Sequence, residues 1–142
     1  MADLIKIAVD AMGGDNSPKK VIDGIIHNHK NNKGNFFKIF GDKNKIVSLI
    51  KDEIDNQYYE IIHTENFVLS TDSPLEAAKK GKDTSMWLAI ESVKKNEADI
   101  VISAGNTGAL LVIAKLNLKM IQDIDKPALS ACLLYTSDAA DE

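Results

Sequence analysis

The stretch from Ile100 to Gly108 constrains this chain more than any other. Ile100, Val101 and Ile102 form a run of β-branched residues, the pattern of a strand buried in a parallel sheet. The run stops at Ser103-Ala104-Gly105-Asn106-Thr107-Gly108. It is followed by an apolar stretch from Ala109 with no charge before Lys115, which predicts a largely buried helix from Thr107 to Met120. Ser103 to Gly108 is therefore read as a tight strand-to-helix turn, in which Gly105 and Gly108 let the backbone approach closely. The first N–H groups of a helix lack intrahelical partners and carry the positive end of its dipole, so such a turn suits an anion. Ser103, Asn106 and Thr107 add polar side chains there, and phosphate is a ligand of the right kind. The same pattern also serves as an ordinary glycine turn with an N-cap. Taken alone, the motif leaves both readings open.

A chain of 142 residues is long enough for one domain with a real core. No apolar run reaches membrane-spanning length, since Lys115, Asn117 and Lys119 break the longest one. The opening residues enter a strand at once and lack the pattern of a signal peptide. A single cysteine, Cys132, excludes an internal disulfide and a thiolate zinc cluster. These features suit the cytoplasm. The formal charge of −4, from 17 basic and 21 acidic residues, argues against bulk nucleic-acid binding, which needs a basic stripe.

In chain order, Leu4 to Asp10 reads as the first strand and Ala11 to Asn16 as a turn. Ser17 as N-cap and Pro18 as first helical residue open a helix running to about Asn31. Phe36 to Phe40 is a second strand, and Lys43 to Ile54 a helix of 3.6-residue period. Tyr58 to His63 is a third strand. After a loop, Ser73 and Glu76 form a capping box, and a further helix begins near Asp83 or Thr84. This order predicts a three-layer αβα, doubly wound, mostly parallel sheet with helical crossovers. Ligands of such sheets sit beyond the carboxyl ends of the strands. Four loops are expected to meet there: Asp10 to Asn16, Gly41-Asp42, Thr64 to Asp72, and Ser103 to Gly108.

Several familiar motifs fail on inspection. Gly13-Gly14 lacks the spacing of a dinucleotide-binding turn, and Asp15 would repel a pyrophosphate. Gly81-Lys82-Asp83-Thr84-Ser85 has Asp83 where a P-loop needs serine or threonine, and follows no strand. His27 and His29, two apart on a helix, face different ways and read as surface or boundary residues. Asp10 and Asp15 make a weak metal pair and read as turn and cap carboxylates. Lys19, Lys20, Lys79, Lys80 and Lys82 read by default as solvated surface.

Four phrases then occur together in order. They are Ile7 to Pro18, with Asp10-Ala11-Met12-Gly13-Gly14-Asp15; Ser73 to Ala77 with Lys82 to Met86; Ser103 to Ala109; and Lys126 to Leu129. They resemble the bacterial phosphate acyltransferases of phospholipid synthesis over about Ile5 to Leu129. The resemblance implies transfer of a fatty acyl group from acyl carrier protein to inorganic phosphate, forming acyl phosphate without a cofactor or metal. It implies a fold related to phosphate acetyltransferases and isopropylmalate dehydrogenases, a homodimer, and a cytoplasmic enzyme at the membrane periphery. The expected phosphate-binding residues are Ser103, Gly105, Asn106, Thr107 and Gly108, with Asp10, Gly13, Gly14 and Asp15 on a neighbouring loop. Asn106 and Lys82 are the candidates for catalysis.

The resembling family runs to more than twice this length, so the sequence reads as an N-terminal part truncated after about Ala131. Residues 132–142 then form a non-native tail, and the chain alone is expected to be inactive. A phosphate- or nucleotide-binding α/β domain without acyl transfer remains the alternative.

Overall fold

The computed structural model describes residues 3–131. Expectations that fall on Cys132 and on residues 132–142 lie outside the described residues. Four strands and five α-helices follow in the order β1 (Ile5–Asp10), α1 (Lys19–Asn31), β2 (Asn35–Gly41), α2 (Lys43–Ile50), β3 (Tyr59–His63), α3 (Pro74–Lys79), α4 (Ser85–Lys94), β4 (Ile100–Ser103) and α5 (Thr107–Asn117), with two helices in succession between β3 and β4.

The sheet is all-parallel, in the order β3-β2-β1-β4. The first two crossovers carry the chain outward from β1 to β3. The third returns it across the sheet to the other side of β1. Winding therefore reverses between β1 and β4, and open α/β sheets bind ligands in the crevice formed at such a point.

Strand alternation divides the core. Ile7, Val9, Phe37 and Ile39 point to one face, where Ile22 and Ile25 of α1 and Ile46 and Ile50 of α2 cover them. Ala8 and Phe40 point to the other face, against Ala89 of α4. A third cluster joins α4 to α5 through Met86, Trp87, Ile90, Ala109 and Ile113. Full burial of an isoleucine is worth about 1.5–3 kcal/mol, so Ile22, Ile39, Ile46 and Ile50, each with no exposed surface, anchor the first face.

Several boundaries differ from the sequence reading. Pro18 takes the N-cap position of α1, so Ser17 lies outside the helix and its hydroxyl donates to the Gly13 carbonyl instead. Helix α2 ends at Ile50 because Lys51 turns into the left-handed region, φ +46°. Ile54 is nevertheless buried, so its place in the apolar period reported burial and not helix. Helix α5 ends at Asn117, three residues before Met120. His29 is a correction to its reading as a surface or boundary residue. Only 2% of it is exposed, with its ring against Tyr58 and Lys33 Nζ 2.8 Å from Nε2.

Candidate active site

Asp10 ends β1 and Ser103 ends β4, and the two are register partners in the sheet. Parallel partners place their side chains on the same face, which here is the face of α4. Ser103 Oγ donates to Asp10 Oδ2 at 2.7 Å. From α4, Ser85 Oγ donates to Asp10 Oδ1 at 2.6 Å. The backbone N–H groups of Met12 and Gly13 close back on the same oxygen at 3.2 Å each. The Asp10 carboxylate is 1% exposed and receives four hydrogen bonds from three separate parts of the chain. A buried charge is tolerated only when compensated in this way.

The turns that Asp10 joins touch backbone to backbone. A Cβ added to Gly13 would lie 2.5 Å from Asp10 Oδ2 and 3.1 Å from Gly105 Cα. One added to Gly14, whose φ is +90°, would lie 2.4 Å from the Ala104 carbonyl oxygen. Gly13 and Gly105 therefore face each other where no side chain fits. Gly108 serves a different contact, since its missing Cβ makes room for Pro74 at the start of α3.

Ser103 and Asn106 hold the strand-to-helix turn from within. Ser103 Oγ donates a hydrogen bond to Asp10 and accepts one from the N–H of Gly105 at 3.1 Å. Asn106 caps α5, its Oδ1 accepting from Ala109 N–H at 3.0 Å. Its Nδ2 reaches across to the 69–72 loop, donating to the carbonyl of Asp72 at 2.7 Å and, at longer range, to those of Leu69 and Ser70. Both ends of the Asn106 side chain are thus occupied by the protein. The N–H groups of Thr107 and Gly108, first in α5, have no intrahelical acceptor, and Thr107 is exposed. They are the groups of the turn best placed to meet an anion.

The 64–72 loop is tied down at both ends. Thr64 Oγ1 donates to the Asp83 carbonyl, Asn66 Nδ2 to the Asp83 carboxylate, and Ser85 N–H to the Asn66 carbonyl. At the far end, Lys80 pairs with Asp72 at 2.6 Å. That bond, with the Leu69 N–H, holds the Asp72 carboxyl below the usual carboxylate range. Ser73 and Glu76 form the expected capping box, which likewise lowers Glu76. Lys82 is exposed in the turn before α4, and Asp15 is exposed beyond Gly14.

The fold therefore gathers Asp10, Gly13, Gly14, Ser103, Gly105, Asn106, Thr107 and Gly108 at one end of the sheet. Lys82 and Asp15 lie on adjoining exposed turns. Sequence reasoning missed Ser85 as a partner of Asp10. The available signal was its place in the matched phrase Lys82 to Met86, a small hydroxyl residue at the start of an apolar helix. No group of three or more metal-ligating side chains occurs among the described residues. None of the described helices is long and apolar enough to cross a membrane.

Residues 5–138 match the family described as "Fatty acid synthesis protein". This chain belongs to that family. The match extends past Ala131 into the stretch read above as foreign. Among family relatives, a phosphate acyltransferase of Pelagibacter ubique (strain HTCC1062) is 68% identical over 131 residues, which is 92% of this chain and 39% of the relative. One from Bradyrhizobium sp. (strain BTAi1) is 43% identical over 92% of this chain and 38% of its own length. One from Streptococcus mutans serotype c is 41% identical over 90% and 38%. The chain thus spans about two fifths of the length of the curated relatives it matches.

Proposed function

We propose that this chain supplies the phosphate-holding part of an enzyme that moves a fatty acyl group from acyl carrier protein to inorganic phosphate. The observation that supports this best is the Ser103–Gly108 turn. It lies at the winding reversal of the sheet, opens α5 with free N–H groups, and is braced by a buried carboxylate. In the reaction, a phosphate oxygen attacks the thioester carbon. The new C–O bond forms first and moves charge onto the carbonyl oxygen as an oxyanion. Its collapse breaks the C–S bond, and the carrier leaves as its thiolate, which then takes a proton. Thiols ionise near pH 8.5, so the leaving group needs little help. Phosphate is itself the nucleophile. The protein's work is to hold it against the thioester and to stabilise the oxyanion that develops.

In this reading residues 1–131 carry the phosphate end of a cytoplasmic homodimer that works without a cofactor. Asn106 acts by shaping the turn. Lys82 supplies positive charge near phosphate or for docking of the carrier protein.

A chimera tests the reading. The matched segment of the Pelagibacter relative is replaced by this chain's, and phosphate-dependent release of carrier thiol is followed. We expect turnover within about tenfold of the unaltered relative, since packed family cores tolerate volume-conserving exchange. An inactive but folded chimera beside an active parent would sink the assignment. In the same chimera, Lys82→Ala should raise the KM for acyl carrier protein, less so at high salt, or the KM for phosphate. If neither moves, Lys82 is plain surface.

A further inference from the structure

We propose that Asp10 is a positioning residue for phosphate, acting through Ser103 on the strand-to-helix turn; this rests on the reading of that turn as the phosphate site. An ionised carboxylate only accepts hydrogen bonds, so the Ser103 proton must point at Asp10 Oδ2. With its proton so directed, the Ser103 oxygen is free to accept the Gly105 N–H. That bond turns Gly105 inward and leaves Thr107 and Gly108 as the outward N–H groups. The other carboxylate oxygen does the same for the neighbouring turn, drawing in the N–H groups of Met12 and Gly13. It also takes the hydroxyl of Ser85, at the start of α4, which has no exposed surface. One side chain thereby sets two turns and a helix start around the crevice.

The charge of Asp10 makes the idea sharply testable. A negative group beneath an anion site repels the anion, so electrostatics alone predicts that Asp10→Asn tightens phosphate binding. Positioning predicts the opposite. An asparagine amide would donate to Ser103 Oγ, release its proton, and loosen the hold on Gly105.

The measurement is a titration of this 142-residue chain with inorganic phosphate at constant ionic strength. It is read by backbone-amide NMR shifts of Thr107 and Gly108, at a concentration where sedimentation shows monomer. Loss of one hydrogen bond to a charged group supports an expectation of roughly tenfold weaker phosphate binding in Asp10→Asn, with the far-ultraviolet spectrum unchanged. Equal or tighter binding would overturn the proposal. No phosphate-dependent shift in the unsubstituted chain would overturn the reading of the site, and the proposal with it.

Should Asp10→Asn not fold, the two serines decide. Ser103→Ala should weaken phosphate to a similar degree and Ser103→Thr restore it. Ser85→Ala should lower the melting temperature comparably with a smaller loss of affinity. Affinity that merely follows melting temperature across these variants would refute positioning.

Discussion

Asn106 shows how one side chain can hold a strand-to-helix turn and a neighbouring loop at once. Its oxygen caps α5, and its amide nitrogen holds the 69–72 loop. Asn106→Asp keeps a capping oxygen but removes the donor, so helix stability should change little while the 69–72 amides exchange faster with solvent. Asn106→Leu removes the cap as well, worth about 1 kcal/mol, and should lower the melting temperature. Unchanged exchange in Asn106→Asp would mean that the other ties of the loop, Lys80 with Asp72 among them, hold it without Asn106.

His29 carries a separate consequence at the same scale. Burial, then the adjacent Lys33, lowers its pKa below the ordinary imidazole value, with Asp55 opposing. The unfolded chain therefore binds a proton here at a higher pH than the folded one does. Its contribution to stability is present above about pH 6.5 and declines as pH falls through that value toward the lower folded pKa. His29→Gln should flatten the melting-temperature profile below about pH 6.5 relative to the unsubstituted chain. A parallel profile would show that His29 does not titrate on unfolding.

Among the elements, glycines of similar appearance in sequence divide by what surrounds them. Gly24 sits inside α1, and a Cβ added there meets nothing within 4 Å. Gly24→Ala should stabilise the chain by about 0.5–1 kcal/mol, the helical advantage of alanine over glycine. Gly14 combines positive φ with contact against Ala104, so Gly14→Ala should destabilise by about 1–3 kcal/mol. Denaturant midpoints separate these signs. Stabilisation by Gly14→Ala would show that the two turns do not cross as described.

For the molecule as a whole, the uneven cover of the sheet matters. Helices α1 and α2 cover the β1–β2 face, but on the same side of β4 Ile100 and Ile102 are 43% and 49% exposed. Beside them an apolar groove of about 370 Å³ runs between Val21, Gly24 and Ile25 of α1 and Ile102. Strand β4 is also the edge of the described sheet, and an apolar edge invites association. The chain should self-associate as its concentration rises, and Ile102→Lys should suppress this by placing a charge on the edge. Sedimentation velocity reads both. Equal association of the two proteins would place the contact elsewhere.

By itself the sequence determined the order of the elements, the places of the turns and the capping box that opens α3. Apolar period, β-branched runs and capping residues act within a few positions, as Ser73 with Glu76 and the stop of β4 at Ser103 illustrate. The same locality explains the misses at Ile54 and His29, where an apolar period or a polar side chain does not say which surface packs over it. Only the tertiary structure decided that β4 lies beside β1, and with it the location of the crevice. Asp10 meets Ser85 and Ser103 across 75 and 93 residues of chain. No local pattern encodes such pairings. They follow from strand order and register, which bring residues of matching height onto one face of the sheet once the core on either side has closed.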